Sequence, residues 1–177
     1  MGLEYLGGKS WREISRDERF FCSHLYALIE KNGATGFVAF LNSKENLGLD
    51  PAANWEPAFE ACFYRDIWNH RNKQGELISP KRTFDLCLFS DDAIVIIEAK
   101  AHDGFSEKQM ASFDDDEKQV EKLTEVKSVV LLALVSSKYQ AKPETKKRFK
   151  GWLEWNELAA LYGRDRILQR ANDVYKS

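Results

Sequence analysis

Apolar positions along this 177-residue chain change period once, near Pro80. Before it the spacing is helical. From Ser15, the residues Phe21, Cys22, Leu25, Leu28 and Ile29 recur on one stripe until Asn32-Gly33, which predicts a helix stopped by glycine. Phe59, Phe63 and Ile67 share a second stripe, and Pro57 suits a first helical turn, so another helix is expected from Pro57 to His70. Lys73-Gln74-Gly75 and Ser79-Pro80 are turn material. After Pro80 the pattern reads as strands, Thr83 to Phe89 and Ala93 to Ala99, with Ser90-Asp91-Asp92 between them. The run from Ala93 to Ile97 has no polar alternation, as expected of a strand covered on both faces. A polar helical stretch, Ser106 to Leu123, leads to a second such strand, Ser128 to Val135. Strand–helix–strand order implies a right-handed crossover between parallel strands. Lys150 to Trp155 is a last short strand, and Glu157 to Tyr162 and Arg164 to Tyr175 are closing helices. The expected fold is α/β: a mixed central sheet flanked by helices on both sides, in a single domain.

Composition narrows the class without naming a function. The longest apolar run, Val129 to Val135, is seven residues, far short of a membrane span, and Trp11-Arg12-Glu13 interrupts any secretory leader. Leu6 stands where a myristoylation motif at Gly2 requires Ser or Thr. Three scattered cysteines, Cys22, Cys62 and Cys87, suit the reduced core of a cytoplasmic protein. Net charge is −2, yet it is unevenly spread: Lys138 to Ser177 carries ten basic and five acidic residues, leaving the first 137 residues at −7. Lys142, Lys146, Lys147, Arg148 and Lys150 could track phosphates, with Trp152 and Trp155 stacking on bases; a solvated loop beside core tryptophans would look the same.

Familiar sites fall away. Gly7-Gly8-Lys9-Ser10 lacks the first glycine of a P-loop, which would fall on Leu3, and no strand feeds it. His24 lies inside the first helix, and no histidine pairs with a local nucleophile signature. The residues that need explaining are Asp85, Glu98 and Lys100. A hairpin closed at Asp91-Asp92, by a two-residue or a four-residue loop, sets Asp85 directly opposite Glu98. Opposed side chains of this kind have β-carbons roughly 5 Å apart, and facing carboxylates repel unless neutralised. A divalent cation such as Mg²⁺ would neutralise them. Lys100 shares their face and could orient water or stabilise charge on phosphorus. A solvated surface ion pair between Glu98 and Lys100 is the plain alternative.

Asp85, a twelve-residue gap, then Glu98-Ala99-Lys100 closing an apolar strand resembles the PD-(D/E)XK nuclease superfamily, the restriction-endonuclease-like fold. The order of elements from Ser15 to Tyr162 matches as well. Phe84 stands where the superfamily often has proline. The resemblance implies Mg²⁺-dependent hydrolysis of DNA phosphodiesters, with Mn²⁺ as a substitute. Asp85, Glu98 and the Ala99 carbonyl would be metal ligands, and Lys100 the catalytic lysine. It further implies an acid on the early helix, for which Glu18 is the candidate. Ser15-x-x-Glu18 is equally a capping box, in which Glu18 returns to the Ser15 amide. Gln109, with Phe113 four residues on, resembles the glutamine of the RecB-like branch; Gln119 is the alternative. Asp114-Asp115-Asp116 reads as a solvated helix break. The expected partners are DNA and a second copy of the chain, with no membrane. The competing function is an inactive restriction-like fold that binds nucleic acid or protein.

Overall fold

The computed structural model describes residues 4–11, 17–66 and 83–176, and among these the side chains of 64 and 108–115 are left aside. The turns expected around residues 73–75 and 79–80, and Ser15 itself, lie outside the described residues. Helix α1, Glu18–Asn32, is capped by Asp17, whose carboxylate accepts from the Arg19 amide at 2.9 Å. Its buried residues, Phe21, Cys22, Leu25 and Ile29, are the expected stripe. Gly33, at φ 79°, ends α1 and begins α2, Ala34–Glu45. A side chain at that φ would be strained, so the glycine permits two helices to abut without a loop. Helix α2 has no counterpart among the expected elements. It buries Phe37, Val38 and Leu41 and stops at Asn46 in the left-handed region.

The helix expected from Pro57 to His70 is corrected. Residues Glu56–Ala61 form strand β1, and only the short α3, Phe63–Asp66, is helical among the described residues there. Strand β1 is the sheet edge, paired on one side with β2, Phe84–Phe89. An edge tolerates Pro57 because one row of backbone donors is unused, and pairing along β2 overrides the local helical spacing. Strands β1, β2 and β3 (Ala93–Ala99) are antiparallel neighbours. Helix α4, Glu107–Thr124, then returns the chain to β4, Ser128–Val135, parallel to β3 as expected. After α5, Pro143–Lys146, strand β5, Gly151–Glu154, adds a second parallel pair. Helices α6, Trp155–Leu161, and α7, Arg166–Asp173, close the described chain. Spatial order is β1-β2-β3-β4-β5, a mixed sheet in an α/β fold.

Both faces of the sheet are covered. Helices α1, α2, α6 and α7 pack on Leu86, Leu88, Val95, Ile97 and Leu132. Helix α4 packs through Val120 over Cys87, Ile94, Ile96 and Leu131 on the other face. Every residue of β3 is buried, which is why its sequence carries no polar alternation. Helix α4 runs through Asp114–Asp116 without the expected break, and Asp116 is buried. No described helix is long and apolar enough to cross a membrane.

Candidate active site

The site lies where β2 and β3 part. Their pairing runs from Phe89↔Ile94 to Leu86↔Ile97, closed by the Ser90 amide donating to the Ala93 carbonyl at 2.9 Å. This is the register expected from an Asp91-Asp92 turn. One step further it brings Asp85 level with Glu98. A continued ladder would then point the Ala99 amide at the Phe84 carbonyl. Instead the Ala99 amide donates to Asp85 Oδ2 at 2.8 Å. A carboxylate thus takes the place of a backbone acceptor as the hairpin opens.

The neighbouring strand explains the opening. Between the pairs Phe59↔Leu86 and Ala61↔Phe84, Glu60 has φ 51°, a strained value for a residue with a β-carbon. Its carbonyl accepts from Arg65 Nη2 at 3.2 Å, and its carboxylate pairs with Arg19 at 2.8 Å. The strands change sides here: Leu86 and Leu88 face the α1 side, whereas Phe84 faces the opposite core. Asp85 sits at the changeover, which re-aims it as a bulge does.

Lys100 follows at the end of β3, gripped on three sides. Its amide donates to the Leu134 carbonyl at 2.7 Å, and its own carbonyl accepts from Trp155 Nε1 at 3.0 Å. Its ammonium donates to Glu18 Oε1 at 3.1 Å and stands 5.7 Å from the centre of the Phe105 ring. Glu18 Oε2 accepts from the Ala101 amide at 3.0 Å. Both Glu18 oxygens therefore engage the end of β3, and the cap of α1 is Asp17. The Lys100 side chain is 11% exposed and that of Glu18 28%.

Glu18, Asp85 and Lys100 line one cleft of about 520 Å³, with Asp17, Arg19, His102, Asp103, Gly104 and Ser106 around them. Glu98 is not on the cleft wall and is buried, 4% exposed. The convergence is felt at Cys22. Burial pushes its thiol well above the ordinary value, the charges of Asp85, Glu18 and Glu98 push it further, and Lys100 opposes them. Three carboxylates and one lysine thus act on one buried point. Among the described residues no three His, Cys, Asp or Glu side chains already stand together as a ligand set. The donors are nonetheless of the right chemistry for a hard cation, which prefers carboxylate and carbonyl oxygens. The Gln109 side chain lies outside the described residues, and Gln119 is half-buried on α4.

Trp155, expected either to stack on bases or to fill the core, is fully buried and holds the Lys100 carbonyl. Its role was invisible in the sequence, since β5 must first lie beside β4. Arg19 and Phe105 were also missed; the strained Glu60 that recruits Arg19 leaves no sequence signal. Comparison with known proteins returns nothing similar: no family model matches the chain, and neither a curated protein nor a solved structure does.

Proposed function

We propose that the chain is a Mg²⁺-dependent nuclease that hydrolyses DNA phosphodiester bonds on a restriction-endonuclease-like fold. The observation that carries this reading is the meeting of Glu18, Asp85 and Lys100 in one cleft. Residues 82 positions apart, Glu18 and Lys100, are joined there by a direct ion pair. Asp85, Glu98 and the Ala99 carbonyl would hold the cation, which when bound activates water and offsets charge on the phosphate. Lys100 is the group that orients the attacking water or stabilises charge developing at phosphorus. Glu18 and Trp155 fix its two ends before substrate arrives, which removes the cost of ordering a long side chain during reaction. DNA, rather than another phosphodiester, follows from the resemblance.

The test is supercoiled plasmid incubated with purified protein in Mg²⁺, Mn²⁺ or EDTA. Nicked or linear product is expected with either metal and none in EDTA. Asp85→Asn keeps an acceptor for the Ala99 amide while removing the charge, so the folded variant should lose cleavage. Wild-type rates in that variant would overturn the assignment. A second reading, a non-catalytic binding module, is favoured by the hydrogen bonds that give Asp85 and Glu18 structural work. It predicts DNA binding with no heat of Mn²⁺ binding by calorimetry.

A further inference from the structure

A second cleft, also of about 520 Å³, adjoins the first across the loop 101–106. It has a different chemistry. Phe105, Tyr139 and Tyr175 supply aromatic surface, and Lys142, Arg148 and Lys176 supply positive charge, with Glu107 and Glu144 also on the wall. The rings are not isolated. Tyr139 stacks on Trp152 with centroids 6.2 Å apart, meets Tyr175 edge-on at 5.8 Å and meets Phe105 at 6.3 Å. All four rings are half-buried, so each keeps part of its surface in solvent. A fully packed core cluster would not.

The loop between the clefts is fixed by contacts from both sides. The Lys176 amide donates to the His102 carbonyl at 3.0 Å, and His102 Nδ1 lies 3.1 Å from the Val174 carbonyl. These bonds place Tyr175 and Lys176 against the loop. Gly104 passes so close to Tyr139 that a β-carbon would fall 2.3 Å from the ring. Phe105 links the two clefts: it lines the second, and the Lys100 ammonium of the first stands over its ring.

We propose that the second cleft binds one unpaired nucleotide of a nucleic-acid strand, its base against the Tyr139 and Tyr175 rings and its phosphate near Lys142 and Arg148. A base reaches an aromatic wall only when it is out of its own helical stack, and base–aromatic stacking is indifferent to sequence. Cations beside such a wall meet the phosphate that the same nucleotide carries. The proposal rests on the nuclease reading in one respect: the strand bound here continues across Phe105 to the carboxylate cleft. It therefore narrows the substrate to strands that are single, or locally unpaired, next to the bond that is cut.

The experiment is fluorescence anisotropy in EDTA, where no cleavage occurs. Fluorescein-labelled oligodeoxyuridylate of about eight nucleotides is compared with oligouridylate of equal length and with a G·C-rich duplex of about twelve base pairs. The single strands should bind about tenfold more tightly than the duplex, and the ratio of the two single strands names the preferred sugar. Tyr175→Ala should weaken single-strand binding about tenfold. Tyr139→Phe, which keeps the ring, should not. Lys142 is exposed, so Lys142→Ala provides a variant whose folding is not at stake; it should lower the slope of log affinity against log salt by about 0.7. Tighter binding of the duplex, or unchanged affinity and slope in Tyr175→Ala and Lys142→Ala, would overturn the proposal even if plasmid cleavage is observed. Weakened binding in those variants without any plasmid cleavage would keep the cleft and remove the nuclease reading.

Discussion

Two clefts of equal size flank one loop, and they are built by opposite means. In the carboxylate cleft each functional group is held by hydrogen bonds to strand ends: Asp85 by the Ala99 amide, Glu18 by the Ala101 amide, Lys100 by Trp155 and Glu18. In the aromatic cleft the walls are held by ring contacts, with long cationic side chains at the margin. Hydrogen bonds are directional and fix an atom in place, whereas ring contacts tolerate sliding. The first arrangement suits chemistry that depends on position. The second suits binding that must accept many sequences.

The contrast breaks most sharply at Lys100. Lys100→Met keeps the aliphatic stem and the Trp155 bond but removes the ammonium, so plasmid cleavage should fall by about 10²–10³-fold while oligonucleotide binding in EDTA is preserved. Comparable losses in both assays would show that the clefts are not separate in function. Next comes Glu18→Gln, which keeps an oxygen for the Ala101 amide and loses the charge facing Lys100. Cleavage should drop about tenfold with the melting temperature nearly unchanged. A wild-type rate in limiting Mg²⁺ would make Glu18 a structural tether only.

The aromatic cleft is sharpened by charge removal in pairs. Lys142 and Arg148 line it, whereas Lys146 and Lys147 are exposed outside its wall. Replacing the first pair with alanine should reduce the salt slope for single-strand binding by about 1.4, and replacing the second pair should change it less. Equal effects would mean a diffuse basic surface. The smallest effect is expected far from both clefts. Burial alone would raise the Asp165 pKa, but His24 and the Leu168 and Ile167 amides hold it below the usual carboxylate value of 3.8. A depressed folded-state pKa contributes stability that is present above that value and lost as pH falls through the lower one. Asp165→Asn keeps a cap for α7 and removes the titration. Thermal melts should then show the variant slightly less stable at pH 7 and converging with the parent below about pH 4, so its decline with acid is flatter.

The sheet's interior was more legible than its margins. Strands β3 and β4 occupy the expected ranges because a strand buried on both faces writes itself as an unbroken apolar run. The β2–β3 register followed from the Asp91-Asp92 turn, and with it the nearness of Asp85 to the end of β3. Strand β1 was misread because an edge strand is only half covered, and Phe59 and Phe63 happen to fall four apart. Helix α2 was passed over, its Phe37, Val38 and Leu41 sitting in a stretch with no polar face to set them off. At the site, Glu18 was named for two roles that only tertiary contact could separate. The Asp85 bond to Ala99 depends on where the ladder ends, which in turn depends on the strained Glu60 one strand away.

The bonds between His102 and residues 174–176 also set a schedule. A ribosome adds about 5–20 residues per second, so the loop that divides the clefts is made several seconds before the segment that ties it down. Through that interval the carboxylates and Lys100 already exist in the nascent chain, while the wall carrying Tyr175 does not. Contacts this distant in sequence form late because closing the intervening loop costs entropy before anything is gained. The strand-end chemistry and the aromatic wall are thus joined only once residues 174–176 have been made, and a growing chain carries the first without the second.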